Sequence, residues 1–277
     1  MSKSASRVMG PLYKFLLWVI CLLHMYPILL VLISSVKTKH ELAVNSFGFP
    51  REFTLTYFKT AFQTMHYFQS VYNTLLIAIV SVIGSVLIAS MAAYAISRKN
   101  NRFYNTMYVV FLAGLIIPFQ MTMIPLYKVM LGFHLINTYQ GVIFIYLATL
   151  APFSVFLLTG FVKSIPRELE EAASIDGCGM YRTFFAIVFP LLKPALTTVS
   201  ILNLFTIWND FLMPLLYLND SHKMTLTVQL SSFRGLYFND WSLIFAGVCM
   251  IVAPMLLVYL YAQRFIIGGI TAGALKG

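Results

Sequence analysis

The side chains with chemical reach are few in this sequence, and their placement narrows what they can do. Of nine acidic residues, four (Glu168, Glu170, Glu171 and Asp176) fall in the single stretch Ser164–Pro194. A fifth, Asp210, completes the series Asn203, Thr206, Asp210 at i, i+3 and i+7. That spacing puts all three on one face of a helix, with Asn209 alongside. Asp210 is the only formally charged residue well inside an apolar run. A carboxylate at such depth is costly and marks a functional group, unless it lies near an interface where it is paired or hydrated. Catalysis would need histidine, carboxylate or serine groups converging on one point. His24 and His134 stand alone, and there is no H-E-x-x-H and no second carboxylate beside Asp210. No catalytic residue and no metal ligand is therefore assigned, and the chain does not read as an enzyme. A proton-coupled carrier would need a relay of such groups, for which one Asp is thin. Cys21, Cys178 and Cys249 have neither metal nor redox spacing.

The elements that must position these groups are membrane spans. The chain is 60 % apolar and only 10 % charged, against about 25 % charge in a soluble domain. A water-soluble protein of this length and composition could not cover its surface, so the fold class is an all-α polytopic membrane protein. The net charge of +10 reads as basic residues flanking spans, not as a nucleic-acid surface. Six runs are long enough to cross hydrocarbon as helix: Phe15–Val36, Val71–Ser97, Tyr104–Tyr127, Tyr139–Val162, Ala195–Leu218 and Ser242–Phe265. The first is too long for a secretory signal core and lacks a cleavage site, so it reads as a retained span. Lys and Arg in the connections divide twelve against seven in favour of cytoplasmic termini, with the Arg98–Arg102 turn the firmest vote. Ser164–Pro194 then faces the cytoplasm.

Local patterns fill in this frame. The outer connection Lys37–Ser70 contains a candidate short helix in Phe53–Thr64. Ala78, Ser81, Ser85, Ala89 and Ala92 form a small-residue face on the second span, where helices approach closely. Pro118 and Pro125 break the third span around Gln120, either for packing or to line a pathway. Pro214 ends or kinks the fifth. Gly268, Gly269, Gly273 and Gly277 should stop the last helix.

Within the loop, Ser164 is a candidate cap for a helix starting near Ile165 and Pro166. Glu168, Glu170 and Glu171 sit where the helix dipole favours acids. Leu169, Ala172 and Ala173 make an apolar face, and Gly177 is a plausible C′ residue after Asp176. A second helix runs from about Gly179 to Pro190, apolar at Phe184, Phe185, Ile187 and Val188. The pattern describes either a rigid knob suited to a partner's groove or a well-capped connection with no partner.

Three motifs carry a resemblance. Glu171-Ala172-Ala173, Gly177, Ile187 and Pro190 resemble the EAA loop of bacterial ABC importer permeases, with Phe189 in place of the usual Leu. PRELEEAASIDG is similar to the carbohydrate-importer subgroup, and Trp208-Asn209-Asp210-Phe211 with Pro214-Leu215 to the segment that follows the loop. The ending GGITAGALKG resembles that of the second permease subunit of maltose importers. The resemblance spans essentially the whole chain and implies one transmembrane domain in a multi-pass bacterial cell-membrane protein. It implies import of a sugar or oligosaccharide, with a non-sugar solute or a secondary transporter as alternatives.

The implied partners are a second permease, of different sequence to judge from the tail, a cytoplasmic ATPase dimer, an extracytoplasmic sugar-binding protein and membrane lipid. ATP and Mg would be bound by the ATPase, since this chain has no phosphate loop and no cofactor of its own. The implied ATPase-coupling residues are Glu168, Glu171, Ala172, Ala173, Asp176 and Gly177. Gly269, Thr271 and Gly273 would make a C-terminal ATPase contact. Gln120, Asn203, Asn209 and Asp210 are the pathway candidates.

Overall fold

The computed structural model describes residues 3–99, 101–235 and 239–274, and side chains between 13 and 263 within those ranges. Among the described residues the secondary structure is helical, apart from an isolated bridge between Arg234 and Asn239. The helices are α1 Lys3–Ser34, α2 Lys39–Val44, α3 Thr56–Thr64, α4 Tyr67–Arg98, α5 Arg102–Ile116, α6 Phe119–Gly132 and α7 Tyr139–Ser164. They continue with α8 Glu168–Ile175, α9 Met180–Thr183, a π turn at Phe184–Val188, α10 Phe189–Leu191, α11 Lys193–Asn209, α12 Leu212–Tyr217, α13 Leu226–Leu230 and α14 Trp241–Ala274. Tyr13–Ser34, α4, α7 and Trp241–Gln263 are each long and apolar enough to cross a membrane. Two bent pairs, α5 with α6 and Met180–Leu191 with α11, raise the number to six if each is one span.

The chain divides into two compact units. One comprises Met1–Tyr67 and Leu230–Pro254. Its connection after α1 is organised by two buried charges. Lys37 is fully buried, and its Nζ donates to the carbonyls of Asn45 (2.8 Å) and Ser46 (3.2 Å). The Glu41 carboxylate accepts from the backbone N–H groups of Arg51 and Glu52. Each charge thus serves main-chain groups that a loop leaves without helical partners. Thr38 caps α2 by accepting from Glu41 N–H. Lys39 pairs with Asp240 at 2.6 Å, and that hydrogen bond holds its ammonium above the ordinary lysine range. The helix expected in Phe53–Thr64 is α3.

The other unit comprises Phe68–Gln229 and Met255–Gly277. Its core is the seam of α4, α7 and α11. Ile77, Ala78, Val82, Ala89 and Ala93 from α4 are buried with Val142, Ile145, Val155 and Leu158 from α7 and Val199 from α11. The small-residue face packs as its spacing requires: Ala78, Ser81, Ser85 and Ala89 are all buried, with Ala93 extending the stripe and Ala92 at its edge.

Two breaks differ from expectation. The third run bends by 106° at one place, between α5 and α6. Ile117 is extended (ψ 113) because it precedes Pro118, whereas Pro125 sits inside α6. The fifth run is not one helix either. It ends at Asn209, and Pro214 lies inside the separate α12. At the C-terminus the backbone of α14 stays helical through Ala274, so Gly268, Gly269 and Gly273 do not stop it. Glycine costs only about 1 kcal/mol in a helix interior. The Thr271 side chain and Gly277 lie outside the described residues.

The α6–α7 connection turns on Asn137, in the left-handed region at φ 60. Its Oδ1 accepts from Asn219 and Asp220 N–H, and its own N–H donates to Tyr217 O. Asn137→Ala removes two acceptor bonds and keeps an unfavourable dihedral. We expect it to destabilise the solubilised protein by about 2 kcal/mol, with Asn137→Gly recovering the dihedral share alone. Thermal unfolding followed by intrinsic fluorescence checks this; wild-type stability in both variants would show that the connection is held otherwise.

Candidate functional site

The Ser164–Pro194 stretch leaves α7 through Ile165, whose N–H bonds back to Val162 O. Ser164 is the last residue of α7, its hydroxyl bonded back to Phe161 O at 2.8 Å, so it does not cap the next helix. Pro166 forces Ile165 out of helical geometry, to ψ 126. The new helix, α8, begins only at Glu168, with Arg167 at the N-cap and no side-chain cap bond. Glu168, Glu170 and Glu171 occupy its first turn, as the dipole favours.

Its C-terminus is a Schellman turn. Gly177 has φ +80, Gly177 N–H donates to Ser174 O, and Cys178 N–H reaches back to Ala173 O. A Cβ at Gly177 would meet nothing within 4 Å. The dihedral, not crowding, is therefore what demands glycine there. The second helix passes through α9, the π turn and α10, and continues through Pro190 to Leu191. The π turn suits a proline-containing stretch: Phe189 N–H bonds to Phe184 O five residues back. Phe184 and Val188 are buried, whereas Phe185 is 47 % exposed. The chain bends by 75° before α11.

The polarity of α8 is not the one expected from Leu169, Ala172 and Ala173. Ala173 is buried, but Leu169 and Ala172 face outward. The side turned to the protein is Glu170 and Ala173, three residues apart. Glu168, Glu171, Ala172, Asp176 and Gly177 are exposed, together with Leu169 and Ile175. So five of the six residues expected to face a partner do lie on open surface, and Ala173 is corrected to an internal contact.

Glu170 makes the strongest attachment. Its Oε1 accepts from Arg98 Nε and lies 2.7 Å from Nη2, and its Oε2 accepts from Tyr94 OH at 2.9 Å. Arg98 Nη2 also donates to Ile165 O at 2.9 Å, which holds the extended entry to α8. The Tyr94 ring packs on Phe184 at 5.2 Å between centroids. Sequence reasoning passed over Glu170, Arg98 and Tyr94 as site residues. The acid was visible, but its direction on a helix this short is set by a partner about 70 residues away, which spacing does not encode.

The polar candidates in the membrane runs do not form one face. Asn203 is buried, with Nδ2 bonded to Ser154 Oγ (3.0 Å) and Ser85 Oγ (3.2 Å), so it ties α11 to α7 and α4. Thr206 and Asn209 are exposed and bond to carbonyls of their own helix. Asp210 is not inside a helix: it ends α11 with ψ 131. Its Oδ1 accepts from Leu212 and Met213 N–H at the start of α12, and its Oδ2 accepts from Tyr146 OH at 3.0 Å. Its carbonyl takes Thr227 Oγ1 at 2.6 Å. The carboxylate therefore satisfies the donors that the break exposes. Gln120 is exposed in the first turn of α6. Asn209 and Gln120 are the open candidates, Asp210 is half-buried, and Asn203 lies on no open surface.

Comparison with known proteins places the chain in a family. Residues 84–266 match the family described as binding-protein-dependent transport system inner membrane component. The chain is 37 % identical over 265 residues to the probable starch degradation products transport system permease protein AmyC of Thermoanaerobacterium thermosulfurigenes, covering 96 % of each. It is 35 % identical to the melibiose/raffinose/stachyose import permease protein MelC of Bacillus subtilis (strain 168), covering 92 % of each. In structure it is similar, with a TM-score of 0.82 at 23 % identity, to a chain of a bacterial ABC transporter involved in import of the acidic polysaccharide alginate. That likeness covers 95 % of this chain and 98 % of the other. The chain belongs to the family of binding-protein-dependent transport system inner membrane components.

Proposed function

We propose that this chain is one of two permease subunits of an ATP-driven importer of oligosaccharides, and that α8 is the helix that docks into its ATPase. The observation that carries the coupling role is the exposed face of α8, with Glu168, Leu169, Glu171, Ala172 and Ile175 open on a short helix pinned behind by Glu170. The sugar class rests on relatives whose names specify starch degradation products and melibiose, raffinose and stachyose. The chain crosses the membrane six times with both termini in the cytoplasm. It works beside a second permease of different sequence, a pair of ATPases that bind ATP and Mg, and an extracytoplasmic binding protein. The end of α14 around Gly269, Thr271 and Gly273 adds a second ATPase contact. ATP-driven closure of the ATPases moves α8, and the nucleotide shifts the permease between inward and outward states only to the extent that it favours one of them.

The substrate pathway runs past Gln120, Asn209 and Asp210, with Asn203 holding α11 in place from within. Sugar is recognised there by planar amide and carboxylate groups beside aromatic rings. Asp210→Asn keeps the two backbone bonds at α12 but removes the charge. It also turns the acceptor for the Tyr146 hydroxyl into a donor. We expect it to raise the uptake KM several-fold at a stability cost of about 1 kcal/mol, whereas Asn203→Ala should lower stability and leave KM near wild type. Unchanged kinetics in both would remove these residues from the pathway.

Two experiments test the whole reading. Proteoliposomes holding the assembled transporter and its binding protein should accumulate one or more of maltotriose, raffinose and stachyose in an ATP-dependent manner; uptake of none of them, with transport of an amino acid or an ion instead, overturns the sugar class. Gly177→Arg places a bulky side chain at φ +80 beside the docking face. It should abolish uptake and co-purification of the ATPase while membrane insertion stays normal, and normal uptake would overturn the coupling assignment.

A further inference from the structure

α8 meets its own bundle through little apolar surface. Ala173 is its one buried residue, and Leu169 and Ile175 are 44 % and 87 % exposed. The two connections of α8 are an extended entry at Ile165 and Pro166, whose Ile165 carbonyl Arg98 itself holds, and the turn at Gly177, closed within the main chain. A force on the outer face of α8 would therefore pass poorly through packing. The stiff path is the carboxylate of Glu170. It meets the Arg98 guanidinium through Nε and Nη2 and the Tyr94 hydroxyl through its other oxygen. The Arg98 and Glu170 side chains keep only 12 % and 14 % of their exposure, so the pair is shielded from screening. Arg98 is the last residue of α4, a 32-residue helix. About three and a half turns back along α4, Ser85 accepts from Asn203 of α11, whose amide also reaches Ser154 of α7. A displacement of the Arg98 end of α4 thus acts on the node that joins three helices.

We infer that Glu170 and Arg98 are positioning residues of the coupling step, a charged joint through which movement of α8 is handed to α4. This rests on the reading of α8 as the ATPase-docking helix. Glu171, the neighbouring acid, points outward and belongs to the docking face, whereas Glu170 points inward and carries the motion onward. The two adjacent glutamates therefore have separable roles, one in assembly and the other in transmission.

The test uses the assembled complex of both permeases and the ATPase pair in lipid nanodiscs. It compares basal ATP hydrolysis with hydrolysis stimulated by the binding protein. Glu170→Met and Arg98→Met should each keep the ATPase bound and basal hydrolysis intact, yet lose about tenfold of the stimulation, the scale of one charge-assisted hydrogen bond. The double variant should be no worse than either single one, because the two act as a unit. Arg98→Lys, which keeps the charge but not the fork, should recover part of the response. Wild-type stimulation in Glu170→Met, additive losses in the double variant, or release of the ATPase by Glu170→Met would each overturn the joint. If Gly177→Arg also leaves ATPase binding and stimulation untouched, the failure lies in the docking assignment itself.

Discussion

A helix that stops leaves main-chain donors and acceptors unmatched, and each must find another partner; in this chain the partner is repeatedly a group of the protein itself. That constraint organises the structure. Where α11 stops, the carboxylate of Asp210 receives the first donors of α12 and the hydroxyl of Tyr146. Where α8 stops, the Gly177 turn returns two N–H groups to carbonyls of its last turn. Where the chain leaves α7, Arg98 takes the carbonyl of Ile165. In the other unit, Lys37 and Glu41 do the same for a loop that has few helical bonds of its own. Asp210, Arg98, Lys37 and Glu41 are thus charged groups that serve as sutures of the main chain.

The same constraint separates structural from functional polarity. A buried polar group whose bonds are filled by its own protein has little left for a substrate. Asn203 is such a group, held between two serine hydroxyls, and the face it was expected to share with Thr206 and Asp210 does not exist as a surface. Glu170 is another, while Glu168 and Glu171 on the same turn have open surroundings. The distinction between neighbouring acids of one helix is therefore made by what lies behind them.

Much of the architecture was legible in the sequence because hydrocarbon thickness and helical period leave few alternatives. The apolar runs, the small residues of α4, the glycine turn at 177 and the acids in the first turn of α8 follow from local chemistry. What escaped was non-local. Ser164 has the composition of a cap, but Pro166 delays the helix beyond its reach. Leu169 reads as a packing residue by spacing, yet the attachment of α8 is ionic and rotates it outward. Asn203, Thr206 and Asp210 share a face only on an unbroken helix, and Asp210 itself ends it. The persistence of α14 through three glycines shows how weakly such residues act against a helix already under way.

The π turn at Phe184–Val188 has a consequence of its own. A wide turn accommodates one residue more than an α turn does, so the facing of everything downstream depends on how many residues lie between Gly177 and Pro190 and on which turn holds them. Each residue of a helix advances its direction by about 100°. Adding or removing a residue in an ordinary α turn would swing α8 around its axis relative to α11 while every side chain stayed chemically the same; the wide turn holds its extra residue without that swing. The loop is thus a gauge of length as much as of composition: its count of residues and the width of its turn set the angle at which its outer face meets whatever grips it.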